Sequence, residues 1–358
     1  MLKSIPRVLE IGEFHHFKDL FPEQTTFLWT GRRRLHQGPY EAAVACTPRR
    51  FARAMRELHA GQYDLVVAYA ALRSPWHPRY WLRSWMREPL RPISAMGRLF
   101  GVSALRFVDI PVPLVALDLN DAFTIGGHNF FLLDKARLYF KRELPSDRWN
   151  AIYGSAHPFL PTRRIRGSRR WQERLERLRP IGLFAGIDGG GFHDGEFPEK
   201  AVDVFFSGSV EMNSWVRHAG LKELKRLAER GIKLDVPAEL LPLDEYRRRM
   251  ARAWLVWSPS GFGWECFRHL EAPRCLSVPL INQPTIERYQ PLRDGVHAVY
   301  YDIEPGGLTR AVEAALADKD KLKRMAVAAR AHVLTHHSPR ALAEYVFEAV
   351  GLLGPSGK

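Results

Sequence analysis

Apolar residues fall along this chain in short runs, separated by amphipathic stretches and by breaks rich in glycine or proline. Residues 7–11 (RVLEI, closed by Gly12), 63–69 (YDLVVAY) and 112–119 (VPLVALDL) are near-continuous rather than alternating. That pattern predicts strands buried on both faces, as in a parallel sheet. Between the first two, residues 48–59 place Phe51, Met55 and Leu58 near one helical face. Residues 130–140 (FFLLDKARLYF) continue the alternation.

The pattern restarts at Ala201. A strand is predicted over 202–207 and a helix over 221–230, with Leu224, Leu227 and Ala228 on one face and Gly231 as its stop. A strand over 232–236 follows. Next come a helix holding Tyr246, Met250, Ala253 and Trp254 with Asp244 as N-cap, a short apolar strand over 254–257, and a helix over 264–272. Strands over 275–281 and 296–301 precede helices over 308–317, 319–335 and 339–352, the last opening on a proline suited to a first turn. Strands alternating with helices predict an α/β protein made of two Rossmann-like, doubly wound domains. Four glycines within residues 187–196 (IDGGGFHDGE) precede no predicted helix and read as a linker. The expected organisation is therefore a first domain over 1–185, a linker over 186–200 and a second domain over 201–338, with the helix at 339–352 available to pack back on the first.

A length of 358 residues suits two cores, and a hydrophobic fraction of 46% excludes a disordered chain. No apolar run approaches the roughly 20 residues of a membrane span, and the first residues enter a strand without a signal-peptide core. Cys46, Cys266 and Cys275 have no metal-ligand or disulfide spacing. Together these favour a cytoplasmic protein, with peripheral attachment to a membrane left open. The net charge of +14 is the unusual quantity, with basic clusters at 32–34, 49–56, 79–106, 163–179 and 247–252. Such a surplus attracts phosphates on nucleic acid, anionic lipid or a small ligand, or serves only as a solvated surface.

The most informative stretch is 246–281. A short strand feeds Ser258, Pro259, Ser260, Gly261 and Gly263, and a helix carrying Arg268 and Glu271 follows. Strand, tight turn and helix start are a common way of holding a phosphate. Upstream, Gly208 and Ser209 leave another strand, with Arg217 nearby. The order of these features from about 201 to 350 resembles the donor-binding half of GT-B glycosyltransferases, especially the branch related to exostosins and the CgeB-like (spore-maturation) enzymes. The features in question are strand–Gly208-Ser209, the L-x-E-Y helix, Ser-Pro-Ser-Gly-Phe-Gly, Arg268-x-x-Glu271, a VYYD strand and H-H-S-P-R.

This resemblance implies transfer of a sugar from a nucleoside diphosphate sugar to an acceptor, without a cofactor or a required divalent metal. The turn amides of Ser260, Gly261 and Gly263 and the helix start would meet the diphosphate, with Arg268 adding a forked cation. Glu271 would accept the ribose hydroxyls, Gly208 and Ser209 would face the donor phosphate or sugar, Arg217 would add charge, and Tyr246 would stand near the base. Glu265 and Glu271 are six apart where many GT-B enzymes carry Glu-x7-Glu, so retention of configuration is unsupported. An inverting enzyme needs a general base from the first domain. Asp118 and Asp121, at the end of the third predicted strand, are the first candidates, and His15, after the first strand, is their rival.

Plainer roles stand beside these. Arg268 and Glu271 at i,i+3 also suit a surface ion pair, Tyr246 a core position, Gly261 and Gly263 a simple turn, and His336-His337 a surface pair. Asp121 suits an N-cap, Asp118 a turn and His15 a packed loop. The acceptor is a glycan, a lipid-linked sugar, a protein or a nucleic acid, and the charge favours a polyanion. The alternative is a non-catalytic nucleic-acid- or membrane-binding protein on the same fold.

Overall fold

The protein is described by a computed structural model over residues 5–30, 45–71, 82, 86, 101–152, 168–184, 196–210 and 214–353. The basic cluster at 32–34, most of 79–106, the start of 163–179 and the glycine-rich segment up to 195 lie outside the described residues. The chain divides into two units, Met1–Ile181 with Ala343–Lys358, and Gly182–Leu342.

In the first unit six parallel strands run β1 (Val8–Gly12), β2 (Thr25–Trp29), β3 (Leu65–Tyr69), β4 (Leu114–Asp118), β5 (Leu138–Lys141) and β6 (Leu178–Pro180), in the order β2-β1-β3-β4-β5-β6. Ala45 makes a parallel bridge to Trp29 on the outer side of β2. All five residues of β1, β3 and β4 are buried, as their continuous apolar runs predict. Among the helices, α1 (His16–Leu20) follows β1, and α2 (Pro48–His59) starts at Thr47, whose side chain accepts from the Arg50 amide at 3.2 Å. The short α3 (Phe130–Lys135) precedes β5, and α4 (Arg169–Glu176) precedes β6. Leu9, Ile11, Leu58, Val66, Ala116 and Leu132 belong to one core. The stretch 130–140 is thus a short helix followed by a strand, because Asp134 turns outward to Arg174 while Tyr139 and Phe140 enter the sheet. Arg49, Arg50, Arg53 and Arg56 stand exposed along α2.

The second unit carries five parallel strands, β7 (Val202–Phe205), β8 (Leu234–Asp235), β9 (Ala253–Trp257), β10 (Val278–Asn282) and β11 (Val299–Tyr301), ordered β11-β10-β9-β7-β8. Val204 and Leu255 face a core shared with Leu224, Leu280 and Val312, whereas Phe205 and Val256 face Met250 and Ala272 on the opposite side. Both faces are covered, as a doubly wound sheet requires. The helices are α5 (Trp215–Glu229), α6 (Leu243–Ala251), α7 (Arg268–Arg274), α8 (Gly307–Leu316) and α9 (Lys319–His336). The last helix, α10 (Pro339–Ala349), sets Phe347 against Phe17 and Phe21 of the first unit, to which the chain from Ala343 onward belongs. Among the described residues no helix is long and apolar enough to cross a membrane.

Three local expectations change. Helix α5 begins at Trp215 rather than near 221, because Ser214 caps it by accepting from the Arg217 amide. Gly220 inside it lets the helix approach Trp257, whose ring a Cβ would meet at 2.4 Å. Helix α6 is capped at Pro242, so Asp244 lies in its first turn, where a carboxylate favours the helix dipole. Helix α7 begins at Arg268, not at 264, because buried Trp264 donates its indole N–H to the carbonyls of Asn282 and Gln283 and is pinned outside the helix.

Candidate functional site

In each sheet the strand order reverses beside the unit's first strand, between β1 and β3 and between β7 and β9. Ligands of open α/β sheets bind outside the carboxyl ends of strands at such a reversal. In the second unit those ends are Ser207–Ser209 after β7 and Ser258–Gly263 after β9.

Two arginines converge there. Arg268, the first residue of α7, reaches the β7 exit, where its Nη1 donates to the Ser207 carbonyl at 3.1 Å and its guanidinium lies 5.1 Å from the centre of the Phe206 ring. A Cβ on Gly208 would stand 2.9 Å from that Nη1, so glycine makes room for the guanidinium. Arg217, in the first turn of α5, is buried and donates from Nη1 to the Ser209 carbonyl at 2.9 Å and from Nε to the Ser260 carbonyl at 3.2 Å. Burial, with the nearby charge of Arg268, pushes the Arg217 guanidinium down to about 10. The remaining donors of Arg268, Nε and Nη2, are buried and meet no acceptor among the described residues. Two neighbouring guanidiniums, with two buried donors of one fork unpaired among the described residues, are chemically suited to an anion.

Tyr246 and Glu271 lie beside it. The Tyr246 hydroxyl donates to Glu271 Oε2 at 2.8 Å, and its ring packs on Phe205. Burial raises the Glu271 carboxyl above its ordinary range against the opposing effects of Tyr246 and Arg268. Gly208, Ser209, Arg217, Tyr246, Ser260, Arg268 and Glu271 therefore form one neighbourhood. The turn amides do not serve it as expected. The Ser260 amide donates to Asn282 Oδ1 at 2.8 Å and the Gly261 amide to the Gly263 carbonyl at 2.9 Å, so both are satisfied inside the protein. Asn282 is the residue the sequence conceals, since its partner lies 22 positions away. Cys266 is a second such residue, with Sγ 3.0 Å from Ser258 Oγ. His337, expected in a surface pair, is buried, and its Nε2 bonds the Gln290 carbonyl at 2.8 Å.

In the first unit Asp118 closes β4 as a buried carboxylate. It accepts from Tyr139 at 3.0 Å, Lys141 at 3.1 Å and the Asn120 side chain at 2.8 Å. These contacts hold the strand end together and occupy the oxygens a base would use. Asp121 is exposed and paired with Arg142. His15 lies in the loop after β1, at the strand reversal, with Nδ1 2.6 Å from Asp19. The hydrogen bond to Asp19 raises the imidazole above its ordinary range. Beneath it, buried Glu10 accepts from the amides of Phe17 and Lys18 and from the Tyr69 hydroxyl. Burial pushes that carboxyl up to about 7. Glu10 fixes the loop that carries His15, a role hidden in the run VLEIG.

A cavity of about 560 Å³ lined by Arg7, Arg50, Arg53, Glu57 and Tyr63 opens at the other, amino-terminal end of the first strands. There Arg7 is paired with Asp64 and Arg53 with Glu57.

No protein-family model and no curated protein matches the chain. Among solved structures, a glycosyltransferase from Rickettsia africae is similar over 98% of this chain and 99% of its own, with 9% identity and a TM-score of 0.53. The Anabaena protein HepE in complex with UDP is similar over 97% and 100%, with 12% identity and a TM-score of 0.49. The MnaA–UDP structure from S. aureus covers 99% of each chain, with 9% identity and a TM-score of 0.48. At such identities the likeness speaks for the fold, and the Rickettsia structure carries it. The chain has the α/β fold of the GT-B class, two parallel doubly wound sheets covered by helices.

Proposed function

We propose that the protein is a GT-B glycosyltransferase that holds a nucleoside diphosphate sugar on its second unit and transfers the sugar to an acceptor. The observation that carries this reading is the Arg217–Arg268 pair, with Arg268 Nε and Nη2 buried and without an acceptor among the described residues. A diphosphate presents oxygens to that fork and relieves the repulsion between the two cations. Glu271, held by Tyr246, accepts the ribose hydroxyls, and the base lies towards Tyr246. Gly208 and Ser209 face the donor phosphate or sugar. The guanidiniums take the place of a divalent cation, so transfer persists in a chelator. UDP in the neighbouring structures of HepE and MnaA makes it the first nucleotide to test. The finer kinship with the exostosin-related and CgeB-like branch belongs to this proposal and rests on the motif order alone.

The first unit supplies the base. His15 suits this better than Asp118 or Asp121, because Asp19 orients the imidazole and both aspartates are already engaged by cations. The acceptor is proposed to be polyanionic, in keeping with the exposed arginines of α2 and the net charge of +14.

Thermal unfolding with UDP, GDP, ADP and TDP sugars tests the reading. One of them should stabilise the protein by about 2.7 kcal/mol when present at about 100 times its dissociation constant. No shift with any, together with salt-sensitive binding to DNA or anionic vesicles, would favour the non-catalytic alternative. Gly208→Ala should weaken binding of the stabilising nucleotide about ten-fold, or roughly 1.4 kcal/mol, because its Cβ displaces Arg268. Isothermal calorimetry on a variant with a wild-type circular dichroism spectrum checks this.

A further inference from the structure

The three cysteines differ in chemistry. Cys46 and Cys275 are buried, and burial pushes each thiol up to about 12. Cys266 is partly exposed and lies two residues before Arg268, in the turn that closes the candidate site. Its sulfur is 3.0 Å from Ser258 Oγ and 3.9 Å from the Pro259 carbonyl, and is hydrogen-bonded to His269. The His269 Nε2 bonds the Ser258 carbonyl at 3.1 Å, and a carbonyl only accepts, so Nε2 carries a proton. The nitrogen left for the sulfur is Nδ1, which can take the thiol's proton. Burial alone would push Cys266 up, but the charges of His269 and Arg268, with hydrogen bonds to His269 and Ser258, hold it well below the ordinary thiol range. Its sulfur also lies within electrostatic reach of Arg217 and Glu271. The sulfur thus stands beside the same cations whose fork is otherwise unfilled.

We propose that Cys266 is the reactive thiol of this protein, and that its modification and the binding of a diphosphate at Arg217 and Arg268 exclude one another. The exclusion rests on the donor reading above; the reactivity does not. An anion arriving at the arginines removes the charge that activates the sulfur, and a group added to the sulfur fills the space beside the fork. With iodoacetamide the sulfur's electron pair forms a carbon–sulfur bond, the carbon–iodine bond breaks and iodide leaves. The thiol's proton has already passed to His269 or to solvent.

The experiment follows the rate of labelling by iodoacetamide in the folded chain, with peptide mass spectrometry to locate the label and Cys266→Ser to confirm it. One label per chain is expected, on Cys266. Its rate should fall less between about pH 8 and pH 6 than that of an ordinary thiol, which with a pKa of about 8.5 slows about ten-fold per unit. Saturating UDP, or inorganic pyrophosphate, should slow labelling at least about ten-fold, and labelled protein should lose affinity for both by a similar factor. An ordinary pH profile, or labelling on Cys46 or Cys275 at a comparable rate, overturns the reactivity. UDP or pyrophosphate that binds by calorimetry without slowing the reaction overturns the exclusion and leaves the donor reading standing. Failure of both to bind overturns the exclusion together with the donor reading, while the pH profile still decides the thiol.

Discussion

Replacing His15 by glutamine should lower sugar transfer by about 10²–10⁴-fold, the usual contribution of a positioned general base, while leaving donor affinity unchanged. In the proposed role the imidazole takes up the acceptor's proton only when neutral. The hydrogen bond to Asp19 favours the charged form and raises its pKa, so kcat/KM should increase with pH through a midpoint above the ordinary histidine value. Asp19→Asn removes that support and should move the midpoint downward. The reference reaction is transfer from the nucleotide sugar selected by thermal shift, followed by release of the free nucleotide. Full activity in the glutamine variant would return His15 to a packed loop residue and direct attention to Asp121.

Replacing Lys141 by methionine should destabilise the first unit by about 3–5 kcal/mol, the cost of leaving a buried charge without its partner. Lys141 and Asp118 have side chains exposed by 0% and 3%, so water cannot substitute for the missing ammonium. The ammonium also donates to the Ala122 carbonyl, which ties the segment after β4 to the end of β5. Denaturant unfolding followed by a probe in the first unit reads the loss. Adding Asp118→Leu to the methionine variant should recover part of it, since an apolar pair of similar size is often tolerated where a lone charge is not. A neutral effect of the single change would mean that the carboxylate is solvated.

The fold was legible wherever a strand is buried on both faces. The runs VLEIG, LVVAY, LVALD, AWLVW and VPLIN all stand inside their sheets. The strands that the pattern does not mark carry mixed signals. β2 (TTFLW) has an exposed threonine, β5 is hidden behind the helix in FFLLDKARLYF, and β6 is a leucine, an arginine and a proline. Within the candidate site, Gly208, Arg268 and Glu271 stand at a strand exit or one helical turn apart, whereas Arg217 is marked only by the order of motifs, since the helix start at Trp215 is not evident from the pattern. The direction of the turn amides could not, since it depends on Asn282, 22 residues downstream. Asp118 looked like a cleft carboxylate for a related reason: its partner Lys141 lies 23 residues away and has no local signature. The case for His15 rests on Asp19 beside it, on a helix of five residues that the sequence pattern does not mark.

Arg268 is proposed to bind a diphosphate through the donors that meet no acceptor among the described residues. Calorimetric titration of UDP into wild-type protein and Arg268→Ala tests it most directly. A charge-assisted contact of this kind predicts a loss of about 1.5–3 kcal/mol, or about 10–150-fold in Kd, with partial recovery in Arg268→Lys because an ammonium keeps the charge but not the fork. Equal UDP affinity in wild-type and well-folded Arg268→Ala protein would contradict the account.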